Sequence, residues 1–170
     1  MKQFTTVLAI TLGLFGAAIS APALEVGDTA PNMVLMQIQP NGTDSQHGIL
    51  DSAKGPVLLD FFSTTCSYCV RDMPKVAAFA EEISGVATVR IIGLDRDESR
   101  IRAYHSANRE LFTGMDMAID KGREVSRAFV IEATPTYFLI DAQGKIVFKN
   151  VGTLEDAELA QIRALLGAGN

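Results

Sequence analysis

Residues 57–69 read VLLDFFSTTCSYC and hold the only two cysteines of the 170-residue chain, Cys66 and Cys69. The first six of these residues are apolar except for Asp60, a pattern that predicts a short strand buried on both faces. Three hydroxyl residues then predict a turn, and we expect a helix to begin at the cysteines. Cysteines three residues apart on a first helical turn place Cys66 at the helix N-terminus, where unpaired backbone N–H groups and the helix dipole favour an anion.

This placement favours thiol–disulfide exchange. The thiolate is the nucleophile of that reaction, and a helix N-terminus lowers a cysteine pKa from about 8.5 to between about 3.5 and 7.5. Cys69, one turn further into the helix, is expected to be more buried and to act as the resolving thiol. A CxxC pair can also be half of a zinc site, but that site needs a second pair of ligands. Only His47 and His105 remain for it, in unrelated stretches, so we predict a redox pair.

The residues around the cysteines resemble the thioredoxin superfamily and, within it, the TlpA/ResA-like periplasmic thiol–disulfide oxidoreductases. Asp60 lies six residues before the first cysteine, where thioredoxins keep a buried carboxylate. Pro74 lies five residues after the second cysteine, where the family kinks its active-site helix. The run CVRDMP at 69–74 is similar to the Cys-x-x-acid-Met-Pro run of the TlpA branch. The departure is Thr65, which stands where the family usually has tryptophan.

The resemblance also extends to the Thr134-Pro135 pair that opens a later predicted strand. In the thioredoxin family the matching proline is cis and faces the disulfide. The resemblance therefore implies a cis Pro135 and a Thr134 backbone that pairs with an extended substrate strand. Ser67 and Tyr68, which separate the two cysteines, are expected to contact the substrate as well.

Asp60 is an unusual residue in an otherwise apolar strand. Burial disfavours the charged form of a carboxylate, so its pKa should rise, and the group could then relay a proton to or from Cys69. The alternative is an Asp60 that caps a local turn at the edge of the sheet. Arg71 and Asp72 follow on the helix, and we assign both to a solvated face.

Beyond this stretch the chain alternates between strand and helix patterns. Strands are predicted at 33–38, 57–62, 86–94, 115–119, 137–140 and 145–149, and helices after residue 66, from an entry at 95–99, around 125–129 and over 154–166. Residues 43–51 form a second edge strand or a loop after a turn at 40–42. The fold class is α/β: a thioredoxin fold with a central mixed β-sheet and helices on both faces. The resemblance adds an N-terminal β-hairpin extension and an inserted helix.

The N-terminus carries the parts of an export signal: Lys2, an apolar run over 7–19, and an Ala-Pro-Ala cleavage site that ends at Ala23. We predict a signal peptide over 1–23, a thioredoxin-like domain over 24–170 and a periplasmic location, with a retained membrane anchor as the alternative. The chain has 15 basic and 20 acidic residues and a net charge of −5. This balance offers no basic face for nucleic acid.

The predicted function is an exported protein-disulfide reductase, which the resemblance connects with cytochrome c maturation or copper-centre assembly. Its partners would be a disulfide-bearing periplasmic protein and a membrane thiol–disulfide electron donor. It would use no cofactor and no metal, and a monomer is the default expectation. The Ser67-Tyr68 pair includes no cation to stabilise the Cys66 thiolate further, which favours a reducing couple over a disulfide-donating oxidase.

Two other functions are considered. A Cu(I) metallochaperone would bind through both thiolates, but copper-delivering relatives of this fold space their cysteines CxxxC and add a histidine. A peroxiredoxin-like peroxidase is suggested by the GDTAP string at 27–31. That family needs Pro-x-x-x-Thr-x-x-Cys, and Leu59 and Ser63 occupy its proline and threonine positions here. Methionines such as Met115 and Met117 are assigned to the core.

Overall fold

The structure, a computed structural model, describes residues 22–39, 43–51 and 55–168. Within them the strands are β1 Val34–Ile38, β2 Asp44–Gly48, β3 Val57–Phe62, β4 Thr88–Gly93, β5 Met115–Ile119, β6 Thr136–Ile140 and β7 Ile146–Val151. The α-helices are α1 Ser67–Glu82, α2 Glu98–Ala107, α3 Glu124–Ala128 and α4 Asp156–Ala168, and 3₁₀ turns lie at Arg109–Phe112 and Lys121–Arg123. The strands form a seven-stranded mixed sheet in the order β2-β1-β5-β4-β3-β6-β7. Residues 1–21 of the predicted signal peptide (residues 1–23) and the turn predicted at 40–42 lie outside the described residues.

Strand β3 lies inside the sheet with every residue buried, as its apolar sequence predicts. It pairs in parallel with β4 and antiparallel with β6, so both of its edges are hydrogen-bonded. Leu58 and Phe62 belong to one hydrophobic core, and Leu59 and Phe61 belong to the core on the opposite face. Because side chains alternate along a strand, Asp60 points to the same face as Leu58 and Phe62.

Helix α1 packs on that face of the sheet. Its buried residues include Cys69, Asp72, Val76 and Phe79, which recur every three or four positions and so form one side of the helix. Pro74 lies inside the helix, at the position predicted for it. The helix thus brings the second cysteine over the face of the sheet that carries the Asp60 side chain.

The other helices complete both layers. On the α1 side, α2 contributes the fully buried Ile101, and α4 contributes Ile162. On the opposite side, α3 contributes Val125, and Phe129 directly after it joins the same core. The prediction of helices on both faces of a mixed sheet is therefore confirmed.

A buried arginine attaches the N-terminal hairpin to the sheet. Arg90, in β4, has a relative exposure of 4%. Its guanidinium donates to the carbonyl oxygens of Gly48 at 2.8 Å, of Ile49, and of Asp51 at 2.5 Å. It also pairs with the Asp116 carboxylate of β5 at 3.2 Å. A buried guanidinium is stable only with such partners, so these contacts fix where the residues after β2 lie.

The hairpin and the inserted helix occur where they were expected. Strands β1 and β2 pair antiparallel at one edge of the sheet, and α2 lies between β4 and β5 in the chain. Of the two alternatives for residues 43–51, the edge strand is the one that occurs, and His47 lies within it, opposite Leu35. Its ring nitrogen Nε2 is 2.9 Å from the Ser45 hydroxyl oxygen, on a polar edge strand whose sequence has the composition of a loop.

Candidate active site

A tight turn delivers Cys66 from β3 to the start of α1. The backbone N–H of Cys66 donates to the carbonyl oxygen of Ser63 at 3.1 Å, and Cys66 is the N-cap of the helix. The Cys66 sulfur accepts the backbone N–H of Cys69 at 3.1 Å. An N–H that points at the sulfur favours its thiolate form once the protein is reduced, as predicted from the CxxC spacing.

The two cysteines are joined as a disulfide, with their Cα atoms 5.3 Å apart. They differ in accessibility: Cys66 is half-buried, whereas Cys69 is 2% exposed. A second molecule can therefore reach the Cys66 sulfur and not the Cys69 sulfur. The prediction that Cys69 is the more buried of the two is confirmed, and this accessibility suits the roles expected of them, Cys66 as nucleophile and Cys69 as resolving thiol.

The predicted proline motif faces the disulfide from the start of β6. The Thr134–Pro135 peptide bond is cis, and the Thr134 carbonyl oxygen lies 3.3 Å from the Cys66 sulfur. Pro135 is buried, and its carbonyl oxygen accepts the N–H of Gly152. Two segments 68 residues apart in the chain thus meet at the reactive sulfur.

The residues between the cysteines face solvent. Ser67 is exposed, and Tyr68 has a relative exposure of 58% although it is aromatic. The guanidinium of Arg71 lies over the Tyr68 ring, 4.8 Å from its centroid. Next to Cys66 this exposed ring is an apolar surface that a substrate can cover, although Thr65 supplies no aromatic neighbour.

Asp60 is buried beneath the helix, with a relative exposure of 1%. Its Oδ1 atom has no hydrogen-bond partner among the described residues. Burial, and then the charge of Asp72, raise the pKa of Asp60 to about 8. The prediction of a desolvated Asp60 with a raised pKa is confirmed, and the alternative of a turn cap at the sheet edge is wrong, because Asp60 lies in an interior strand.

The assignment of Asp72 to a solvated face was wrong. Asp72 is 6% exposed, and its Oδ2 atom is buried with no hydrogen-bond partner in the part of the chain that the structure describes. Its other oxygen accepts Arg71 Nε at 3.3 Å, and Arg71 is itself exposed as expected. Asp72 lies three residues after Cys69 and so shares its side of α1. That spacing indicated burial, whereas the charge of Asp72 favoured a position in solvent.

Asp95 is a site residue that the sequence did not reveal. It follows β4, and its carboxylate accepts two hydrogen bonds from Thr64 in the turn before Cys66. Its position could have been predicted from the strand order, because Asp95 follows a strand parallel to β3 and parallel strands end at the same edge of a sheet. Beside this contact lies an open cleft of about 440 Å³, whose lining includes Thr65, Arg100 and Thr134.

Neither histidine belongs to the site. His105 is half-buried, and its ring lies 5.0 Å from that of Phe112. Burial, and then the charge of Arg109, lower its pKa. Met115 and Met117 are buried in the core, as predicted. Within the described residues no group of three or more His, Cys, Asp or Glu side chains is arranged to hold a metal ion.

This site can exchange a dithiol for a disulfide, because one sulfur is accessible to a partner and the other is held next to it in the interior. Fold and site together define a thiol–disulfide oxidoreductase. Residues 26–149 match the AhpC/TSA family, and the chain belongs to that family. Its substrates accordingly carry disulfides.

Several relatives share this activity by name. The chain is 32% identical over 130 residues to the thiol-disulfide oxidoreductase ResA of Bacillus cereus, which covers 76% of this chain and 71% of that protein. It is 29% identical over 163 residues to ResA of Geobacillus thermodenitrificans, covering 92% and 90% of the two chains. The putative thiol:disulfide interchange protein DsbE of Chlorobium tepidum has the same thioredoxin fold, with a TM-score of 0.72, 23% identity and coverage of 87% and 100%.

Proposed function

We propose that the protein is exported to the periplasm and reduces disulfides in other exported proteins, in cytochrome c maturation or copper-centre assembly. The observation that carries a reductive role is the environment of the Cys66 sulfur. Its hydrogen-bond donor is a backbone N–H, and no cationic side chain of the described residues bonds to it. A thiolate with little added stabilisation makes the reduced form less stable, and a less stable dithiol is a stronger reductant.

The reaction begins with the dithiol form. The Cys66 thiolate attacks one sulfur of the substrate disulfide, that S–S bond breaks, and the leaving substrate sulfur takes up a proton. The Cys69 thiolate then attacks the Cys66 sulfur of the mixed disulfide and releases the second substrate thiol. Two electrons pass to the substrate, and the Cys66–Cys69 disulfide remains. A membrane dithiol donor supplies the two electrons that restore the starting form.

Asp60 would handle the proton of Cys69. It lies on the face of β3 that α1 covers, and its pKa of about 8 lets it exchange a proton near neutral pH. As a carboxylate it accepts the proton of the Cys69 thiol before the second attack. As a neutral acid it returns that proton when the disulfide is reduced again. Thr134 and Pro135, with Ser67 and Tyr68, would form the surface on which the substrate strand lies.

Three variants test these roles. Cys66→Ser is expected to abolish the reduction of insulin by the protein with dithiothreitol, and persistence of that activity would refute the mechanism. Cys69→Ser keeps the nucleophile and is expected to accumulate a mixed disulfide. Asp60→Asn is expected to slow release from that mixed disulfide by about 10²-fold or more, the usual contribution of a general base, without slowing the first attack.

The equilibrium reduction potential of the Cys66–Cys69 pair tests the direction. A value below about −220 mV, nearer to thioredoxin than to DsbA, is expected for a reductase that needs a dedicated electron supply. A value near about −120 mV would show that the protein donates disulfides instead. A disulfide-bridged peptide with a Cys-x-x-Cys-His haem-attachment sequence, compared with insulin, would show whether cytochrome c precursors are preferred.

Export is supported by the N-terminal sequence, which has the charged, apolar and Ala-Pro-Ala parts of a signal peptide. No helix within the described residues is both long and apolar enough to span a membrane. Mass spectrometry of the protein from a periplasmic extract is expected to show a chain that begins at Leu24. Recovery of the intact chain in the membrane fraction would instead support a retained anchor.

A further inference from the structure

We infer that Asp95 is a positioning residue for the nucleophile: its carboxylate holds the turn that carries Cys66. The inference rests on the assignment of Cys66 as the nucleophile made above. The contacts come from a residue that follows a different strand, β4, and that is not adjacent to either cysteine in the sequence. They fix the chain two residues before Cys66, at the point where β3 has ended and α1 has not yet begun.

The contacts are short and shielded from water. The Thr64 backbone N–H donates to Asp95 Oδ2 at 2.9 Å, and the Thr64 hydroxyl donates to Asp95 Oδ1 at 2.5 Å. The Asp95 side chain is 3% exposed, and Arg100 Nε lies 3.8 Å from Oδ1. Two bonds from one carboxylate to one residue fix both the position and the orientation of that residue.

The turn is short, so fixing Thr64 also fixes the position of the Cys66 sulfur. Thr64 is the second residue of the turn that the Cys66 N–H closes on the Ser63 carbonyl oxygen. The hydroxyl oxygens of Ser63 and Thr65 lie 2.8 Å apart, but both residues are in the turn itself. Among the described residues, Asp95 is therefore the side chain from outside the turn that hydrogen-bonds to it. Small displacements of a nucleophile can cost large factors in rate.

The fold does not depend on this contact. Strands β3 and β4 are paired along six residues, and the Leu94 N–H continues the ladder to the Phe62 carbonyl oxygen at 2.8 Å. Loss of the Asp95 side chain should thus free the turn and leave the sheet intact. Arg100, at the start of α2, contacts the same carboxylate, so Asp95 also joins the turn to the wall of the cleft.

The test measures Cys66 directly. The reduced protein is alkylated with iodoacetamide, and the rate constant for Cys66 is compared with the rate of insulin reduction and with the thermal midpoint. Asp95→Ala is expected to lower both rates by about tenfold or more, because the sulfur is no longer held in place. Asp95→Asn can accept the Thr64 N–H and donate to its hydroxyl, so we expect rates within about twofold of the wild type. Thr64→Val, which loses only the hydroxyl bond, should lie between them.

Asp120→Ala is the matched control. Asp120 is also a buried carboxylate after a strand, and it accepts the backbone N–H groups of Val125 and Ser126 at 2.9 and 2.8 Å, away from the Cys66 turn. This variant should lose stability but keep the alkylation rate. Equal losses in Asp120→Ala and Asp95→Ala, or an unchanged rate in Asp95→Ala, would overturn the inference. If Asp95→Ala does not fold, Thr64→Val decides, and an unchanged rate in that variant overturns it.

Alkylation does not depend on the direction of electron flow. A failure of the proposed reductase function would appear in the reduction potential and in Cys66→Ser. A failure of the Asp95 inference would leave both of those results as expected.

Discussion

Asp60 and Arg90 are buried charged residues on neighbouring strands, and their surroundings are opposite. They are 1% and 4% exposed, and they point to opposite faces of the sheet, because Asp60 is in register with Ile91 and Arg90 with Leu59. Arg90 has four acceptors around its guanidinium. Asp60 has a carboxylate oxygen with no hydrogen-bond partner in the described ranges, and a second carboxylate, Asp72, is close enough to raise its pKa.

The difference distinguishes a buried charged group that stabilises the fold from one that is suited to proton transfer. A buried charge that has hydrogen-bond partners is tolerated in the interior, and its bonds can hold distant segments in one arrangement. A buried carboxylate with bonds missing makes the folded state less stable at neutral pH, and such groups are found where proton transfer is needed. Arg90 therefore holds the hairpin, and Asp60 has the surroundings that its proposed role in proton transfer requires.

Arg90→Met tests this comparison with the largest expected effect. The change removes the guanidinium donor from three carbonyl oxygens and from the one-third-exposed Asp116 carboxylate, and each buried acceptor left unsatisfied costs about 1–3 kcal/mol. Urea unfolding should show this loss in the free energy of unfolding. Alkylation of Cys66 in the folded variant should proceed at the wild-type rate. A slower alkylation would mean that Arg90 also serves the active site.

Asp60→Asn should change stability in the opposite direction. At pH 7 the wild type pays for a raised pKa, and removal of the titratable group should increase the free energy of unfolding by roughly 2–4 kcal/mol. The same variant should resolve mixed disulfides slowly. Urea unfolding of the oxidised proteins at pH 7 measures the gain. If Asp60→Asn is less stable than the wild type, the conclusion that the Asp60 carboxyl destabilises the folded protein is wrong.

The pH dependence of stability should show the same residue. The pKa of Asp60 is about 8 in the folded protein and 3.8 in the unfolded chain. Between about pH 4 and about pH 8 the folded state therefore holds a proton that the unfolded chain has lost. The contribution of protonated Asp60 to the free energy of unfolding is complete below about pH 4. It falls by about 1.4 kcal/mol per pH unit above that and is lost above about pH 8. Subtracting the Asp60→Asn curve cancels the other groups. A flat difference between pH 5 and 7 would contradict the raised pKa.

Arg102→Ala should have the smallest effect. Arg102, in α2, also ties the hairpin to the body, through two bonds to Asp44 at 2.8 and 2.7 Å. Both side chains are about one-third exposed, and exposed ion pairs contribute at most about 1 kcal/mol, less at high salt. Urea unfolding in low and high salt measures this effect. A loss as large as that of Arg90→Met would show that burial is not what distinguishes the two arginines.

Local patterns made most of the fold and the centre of the site predictable. The apolar run of β3, the CxxC spacing and the Thr134-Pro135 pair are each contained in a few consecutive residues, so each could be interpreted from a short stretch of sequence. Asp72 could have been placed by its spacing from Cys69, but a charged residue near the start of a helix usually faces water. Arg90 and Asp95 could not be placed, since their partners are about 40 and 31 residues away in the chain.

The hairpin that Arg90 secures also protects the sheet from other molecules. Strand β5 is largely buried and apolar, and β1 covers its outer side through pairs such as Met36 with Ile119. The strand left at the edge, β2, is short and reads DSQHG, a polar sequence that offers a poor template for further pairing. Without the hairpin, the outer hydrogen-bonding edge of β5 would be open to the strands of another chain, and self-association into aggregates would compete with folding.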